Sequence, residues 1–331
     1  MASRALRRGL VLGGGGMLGA AWTTGALNVL TQAVSWDPRE AEMLVGTSAG
    51  AVLAALIGAG ASPADLYEHQ LTGRISRGPL AGLEFDYATA AGGVHPERPR
   101  LRLGSGHLLA RTARHPRSVP PTAVMAAALP PGRGSLGGVG ELVRSLPDDG
   151  AGWSPHKALR VVALDFATGR RVTFGGARAP RTTLAEAVTA SCAIPGWFAP
   201  VVIEGRRYVD GGMWSATNVD VAAKRGFQEI GEPPLDELYV LAPMAVHGFD
   251  GPPRSVLERA IRRYRRAVTR RMLAEVQRVR ADGTRVVVFC PTAEDIHAIG
   301  FNMMDAGRRP HVLDTAIRTT GAQVAAQRAA A

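Results

Sequence analysis

The feature that most constrains the fold is a run of four glycines, Gly13–Gly16, between the apolar stretch Leu10–Leu12 and a helix-forming segment that begins near Met17. Neither a strand nor a helix continues through four glycines without a large entropic cost, so the chain is expected to turn there. A turn of this kind leaves unpaired N–H groups at the start of the helix, and such groups face an anion. The segment Gly14–Gly19 also fits Gly-x-Gly-x-x-Gly, the dinucleotide pattern. The anion is therefore a pyrophosphate or a transient oxyanion, and the loop by itself leaves both open. A nucleotide site would want an acid at the end of the second strand. Asp37 and Glu40 fall before the next strand, 42–46, instead.

That second strand, Glu42-Met43-Leu44-Val45, runs into Gly46-Thr47-Ser48-Ala49-Gly50. This is Gly-x-Ser-x-Gly, the pattern of a nucleophile elbow. Small residues on either side permit a strained strand-to-helix turn that lifts the serine Oγ above the sheet. The helix behind it, 49–59, aims its positive dipole end at the same point. The bland alternative is an ordinary turn in a chain rich in Ala and Gly; the position at the end of an apolar strand favours the elbow. A third motif, Tyr208-Val209-Asp210-Gly211-Gly212, closes a strand pair near 200–209. It reads as a simple Asp-Gly turn or as a carboxylate at a strand end with glycines that admit a neighbouring loop.

The rest of the chain alternates strands and helices. Strands are expected at 9–13, 42–46, 158–166, 170–175, 237–242 and 285–290, and helices at 17–32, 49–59, after Ser62-Pro63, and at 183–191, 254–280 and 311–328. Alternation with Val/Ile/Leu-rich strands predicts an α/β fold with a mostly parallel sheet covered on both faces. Residues 75–155 lose the pattern. They are rich in Pro, Gly and Arg, with short helical pieces near 104–113, 121–129 and 137–146, and read as an insertion or lid. Hydrophobic residues make up 46% of the 331, enough for a sizeable core and too many for general disorder. Only Cys192 and Cys290 are cysteines, which excludes a disulfide framework and a Cys-x-x-Cys metal site.

The glycine loop, the Gly-x-Ser-x-Gly elbow and the late Asp-Gly-Gly, in that order, resemble the patatin-like phospholipase family and its bacterial acyl hydrolases. The stretch Ala187–Pro200 leading to Arg206–Gly212 is similar to the block before that family's aspartate, and Asn218-Val219-Asp220-Val221-Ala222 to the segment after it. One difference lies at Leu18, where the family often has Arg or Lys. The resemblance implies a single domain over 1–331, a three-layer α/β/α sandwich with the 75–155 segment inserted. It implies a serine esterase acting on lipid acyl esters, of phospholipase A or lysophospholipase type. Ser48 would be the nucleophile and Asp210 its base, a dyad without histidine. The N–H groups of Gly14, Gly15 and Gly16 would form the oxyanion hole, and Gly19, Gly46, Gly50, Gly211 and Gly212 would be the motif glycines. No metal and no cofactor is implied. A lipid-binding or regulatory protein with little turnover is the alternative, and a nucleotide-binding oxidoreductase comes third.

Other candidates weigh less. His247, His297 and His311 follow Asp210, the chain order of an α/β-hydrolase triad, but each reads as a surface or structural histidine. Cys192 reads as a small buried residue. The net charge of +11 comes almost wholly from arginine, as a GC-rich coding sequence would produce. Segment 254–280 carries ten arginines, with Leu257, Ile261, Tyr264, Val268, Met272, Val276 and Val279 at helical spacing. It is expected to pack on the sheet, with a basic face that is either solvated or in contact with an anionic membrane surface. Nucleic acid is not expected, because aromatic residues are 5% and no zinc-finger spacing occurs. The glycines of the first apolar stretch make it a poor signal peptide, and no transmembrane run occurs, so a cytoplasmic or peripheral membrane location is expected.

Overall fold

The structure, a computed structural model, describes residues 6–89, 103–115, 119–223 and 234–329. The first glycine run does separate a strand from a helix: β1 (Arg8–Leu12) ends where it begins, and α1 (Gly16–Val34) starts at its last member. β2 (Met43–Thr47) leads to α2 (Ala49–Gly58) through one residue, Ser48. α3 (Pro63–Thr72) begins at a capping box in which Ser62 and Asp65 satisfy each other's backbone N–H groups. The 75–155 segment contributes α4 (Gly106–Arg114), α5 (Pro121–Ala128) and α6 (Gly137–Arg144). Then come β3 (Leu159–Asp165), β4 (Arg171–Phe174), α7 (Leu184–Cys192), β5 (Val201–Ile203) and β6 (Arg206–Asp210). β7 (Glu237–Leu241), α8 (Val256–Arg280), β8 (Arg285–Phe289), α9 (Ala293–Ile299) and α10 (Arg309–Ala329) complete the chain. Of these, α9 has no counterpart among the sequence expectations.

The strands form one sheet in the order β5-β6-β3-β2-β1-β7-β8, with β4 also paired to β3. β3, β2, β1, β7 and β8 run parallel, while the two hairpins add antiparallel strands. Both faces of the parallel part are covered, which explains why the central residues of its strands are apolar while charges such as Arg8, Glu237 and Arg285 stand at strand ends. Leu10 and Leu12 join a core with Trp22 and Leu27 of α1 and Leu53 and Leu56 of α2. The intervening Val11 points the other way, into a cluster with Val45, Val162 and Met272, Val276 and Val279 of α8. Helices thus lie on each side of the sheet. The inserted helices are packed in as well: Leu108, Ala123, Ala126 and Ala127 meet Leu164, Phe166 and Val209, while Leu136, Val139 and Val143 join the main core.

The registers position the site. Val162 of β3 lies between Thr47 of β2 and Thr173 of β4, and the next residue, Ala163, lies between Asp210 of β6 and Val172 of β4. β2 and β6 therefore share one edge of β3 and approach each other head-on. Their last residues, Thr47 and Asp210, face consecutive residues of β3. The end of β2 is thereby brought against the end of β6, although 163 positions of sequence separate them.

α8 departs from the expected apolar stripe. Met272, Val276 and Val279 are buried, but Leu257 is 59% exposed, and the charged Arg265 and Glu275 are buried instead. Backbone carbonyls take up the Arg265 charge, and the Ser215 hydroxyl with the Arg271 guanidinium takes up that of Glu275.

Candidate active site

Ser48 occupies the residue between β2 and α2 with φ 54° and ψ −127°. A positive φ at a residue with a Cβ is strained, by roughly 1–3 kcal/mol, so its surroundings must hold it. The Ser48 N–H donates to Ser191 Oγ at 2.8 Å, and the Ser191 hydroxyl donates to the Val162 carbonyl at 2.6 Å. Asn218, itself left-handed, donates from Nδ2 to Thr47 Oγ1 at 3.1 Å and to the Ser215 carbonyl at 2.6 Å. The elbow glycines are required by close approach. A Cβ on Gly50 would lie 2.1 Å from the Leu12 oxygen, and one on Gly46 would lie 2.4 Å from the Ala51 Cα.

Asp210 ends β6 and is 4% exposed. Burial pushes its carboxyl up to about 6, against the opposing effect of hydrogen bonding to the Ser48 hydroxyl and to the Gly212 N–H. The Gly212 N–H donates to Oδ1 at 2.6 Å. Gly211 lets β6 turn away against β3, since a Cβ there would lie 2.2 Å from the Val162 oxygen. Ser48 and Asp210 are thus brought together as neighbours. The Cys192 thiol is the third group here. Burial pushes it up, the Asp210 carboxylate pushes it further, and the Ser48 hydroxyl is close enough to oppose both. It is a thiol, not a thiolate, beside the serine.

The glycine loop lies against this pair. A Cβ on Gly14 would be 3.0 Å from the Ser48 Cβ. The Gly14 N–H, however, donates to the Ala216 carbonyl at 2.8 Å, so it is already engaged and the three-donor expectation needs correcting. The N–H groups of Gly15 and Gly16 have no acceptor among the described residues. Gly19 packs under Pro243 and donates its N–H to the Gly15 carbonyl at 2.8 Å.

Two charged residues of α8 support these loops, and nothing in the sequence separates them from the basic face. Glu275, buried, accepts from Ser215 Oγ at 3.1 Å, from the Val219 N–H at 3.0 Å and from Arg271 Nε at 3.2 Å. It thereby fixes the turn that carries the Ala216 carbonyl. Arg265, also buried, donates to the Pro243 and Ala245 carbonyls at 3.0 and 3.4 Å, and desolvation lowers it to about 10. Ser191 and Asn218 lie within recognisable motif blocks, but their clamping roles depend on contacts across the sheet.

Ser48 lines a narrow apolar cavity of about 80 Å³. Val52, Leu53 and Leu56 of α2 line one side; Leu136, Val139 and Leu142 line another. His247 and His297 do not line it, nor does His311; His247 Nε2 is instead 3.0 Å from Gln323 Oε1. Asp37, a candidate ribose acid by its position in the chain, accepts hydrogen bonds from Arg39. Among the described residues no cluster of His, Cys, Asp and Glu could hold a metal, and no helix is long and apolar enough to cross a membrane.

The site thus sets a serine at a strand-to-helix turn beside a buried carboxyl at the end of an opposing strand of an α/β sheet. The chain belongs to the patatin-like phospholipase family, which it matches over residues 10–223. Among solved structures, VipD from Legionella pneumophila aligns at 14% identity and a TM-score of 0.44, covering 97% of this chain and 67% of that one. The type III effector protein ExoU aligns at 17% identity and a TM-score of 0.37, covering 97% of this chain and 53% of its own, so this chain spans about half of it. No curated protein matches the sequence.

Proposed function

We propose that the protein is a serine acyl hydrolase that cleaves lipid acyl esters, of phospholipase A or lysophospholipase type, with Ser48 as nucleophile and Asp210 as base. The observation that carries this reading is a strained serine beside a buried carboxyl raised to about 6, at the mouth of an apolar cavity. A carboxylate of that basicity is still ionised at neutral pH and accepts a proton far better than a free one. As the Ser48 oxygen attacks the ester carbonyl, its proton passes to Asp210. Gly15 and Gly16 supply N–H groups for the oxyanion, each donor worth roughly 3 kcal/mol in comparable sites. Asp210 then protonates the departing alcohol, leaving an acyl-enzyme. Water, deprotonated by Asp210, releases the fatty acid and restores Ser48.

The cavity fits the acyl chain. Phe85, Tyr87, Leu136, Val139 and Leu142 all come from the 75–155 segment, which supports reading that segment as part of the chain's enclosure within one domain. Exposed Arg263, Arg266 and Arg270, with exposed Val256 and Leu257, support contact of α8 with an anionic membrane surface. The test is release of fatty acid from mixed phospholipid vesicles. Wild-type protein is expected to release it, and Ser48→Ala and Asp210→Asn are expected not to. Vesicle binding by wild-type protein without release would favour the lipid-binding alternative.

A further inference from the structure

We infer that the groove between α8 and the 246–249 loop is a binding site for a phosphomonoester group, which it takes from the headgroup of a membrane lipid. The inference rests on the reading of α8 as a membrane-facing helix and names the group held there. The groove has a volume of about 630 Å³, with the 246–249 loop on one side and Arg263, Arg266, Thr269 and Arg270 on the other. Its lining carries three guanidinium groups and no carboxylate. Other arginines of α8 have acids: Arg262 pairs with Glu258, Arg271 with Glu275 and Arg278 with Asp220. Among the described residues no acid pairs with Arg263, Arg266 or Arg270, and Asp250, next in the chain after Phe249, does not line the groove. Three like charges along one wall repel one another, and a bound anion removes that repulsion.

The loop wall is tied down at several points. The Val246 N–H donates to Thr269 Oγ1 at 3.0 Å, and the His247 N–H to the Pro291 carbonyl at 3.3 Å. Arg262 donates to the Gly251 carbonyl at 2.7 Å and lies 4.9 Å from the Phe249 ring centre. Arg266 lies 5.6 Å from the same ring centre, so its guanidinium is held on the ring instead of swinging in solvent. A planar guanidinium offers parallel N–H groups that match two phosphate oxygens. A phosphomonoester brings about −1.5 to −2 charges and three acceptor oxygens at one atom, which suits several guanidinium groups better than a singly charged diester or carboxylate. The same helix face gives the source of the phosphate. Val256, Arg259, Arg263, Arg266, Arg270 and Leu273 follow one another at spacings of three and four and so share one stripe. Val256 is 79% exposed and Leu273 48%, and at about 1.5 Å per residue they stand roughly 25 Å apart with the arginines between them. A bilayer surface receives both kinds of residue, the apolar ends among the acyl chains and the arginines at the headgroup phosphates. An acidic peptide would engage only the arginines.

The test uses the whole chain with Ser48→Ala, which leaves vesicles intact, so that binding is read separately from hydrolysis. Flotation is compared on phosphatidylcholine vesicles containing either phosphatidic acid or phosphatidylserine, mixed to the same surface potential. Phosphatidic acid vesicles are expected to bind about tenfold more tightly or better, and glycerol 3-phosphate in solution is expected to compete away that excess. Arg266→Gln and Arg270→Gln are each expected to erase the preference. Arg259→Gln removes the same charge from the same stripe but outside the groove, and is expected to keep it. Equal binding to the two vesicles would overturn the inference, as would a preference that survives both groove variants or one that Arg259→Gln erases as well. Glycerol 3-phosphate binding without a vesicle preference would overturn the lipid source. Tighter binding of a polyglutamate peptide than of phosphatidic acid vesicles, lost in the groove variants, would overturn it in favour of an acidic protein. Failure of wild-type protein to release fatty acid would count against the acyl-hydrolase reading and leave this site standing.

Discussion

Asp210 is held in a setting that opposes its charge, and the size of that opposition makes a measurable claim. Its carboxyl is raised from 3.8 to about 6, chiefly by burial. At about 1.36 kcal/mol per pH unit, ionising it in the folded protein costs about 3 kcal/mol more than in the unfolded chain. Below 3.8 both states hold the proton and the cost is absent. As pH rises the unfolded chain ionises first, so wild-type stability falls, and the fall is complete above about 6. Asn at this position keeps the shape and cannot ionise. Asp210→Asn should therefore gain about 3 kcal/mol on wild type between about pH 4 and about pH 8. Urea unfolding of both proteins across that range reads the gap directly. The same variant should lose ester hydrolysis, while wild-type kcat/KM should climb with a midpoint near 6. A gap that stays constant, or that closes as pH rises, would refute the argument that burial and not pairing sets this carboxyl.

Gly50→Ala should destabilise by about 3 kcal/mol or more, or prevent folding, because its Cβ would meet the Leu12 carbonyl, backbone that cannot swing aside; calorimetry checks this. Ser191→Ala removes the acceptor of the Ser48 N–H and the donor to Val162. It should lower kcat on a soluble ester by roughly tenfold to a hundredfold with little change in KM. Glu at Arg263, Arg266 and Arg270 together should weaken binding to anionic vesicles, by about 1 kcal/mol per residue and more at low salt. Unchanged binding would make that face of α8 a solvated one.

The part of the site legible in the sequence is local. Gly46 and Gly50 around Ser48 signal a strained turn because both the pattern and the strand before it lie within ten residues. Asp210 followed by Gly211 is legible in the same way. Their meeting is not, since it depends on β2 and β6 sharing one edge of β3. Gly14 reads as a free donor in the sequence because the carbonyl that takes its N–H belongs to Ala216, far along the chain. Arg265 and Glu275 are indistinguishable from the charges around them until the carbonyls of Pro243 and Ala245 and the hydroxyl of Ser215 are placed beside them. α9 carries a readable signal in Thr292 and Asp295, whose side chains cap each other's backbone.

The central claim is that Ser48 is a nucleophile activated by Asp210, and covalent labelling with a fluorophosphonate tests it most directly. The probe should attach at one site, Ser48, identified by mass spectrometry of the peptide. Labelling should be slowed by orders of magnitude in Asp210→Asn and should persist in alanine variants of His247, His297 and His311. Absence of label from wild-type protein, or labelling that Asp210→Asn leaves at full rate, would contradict the account.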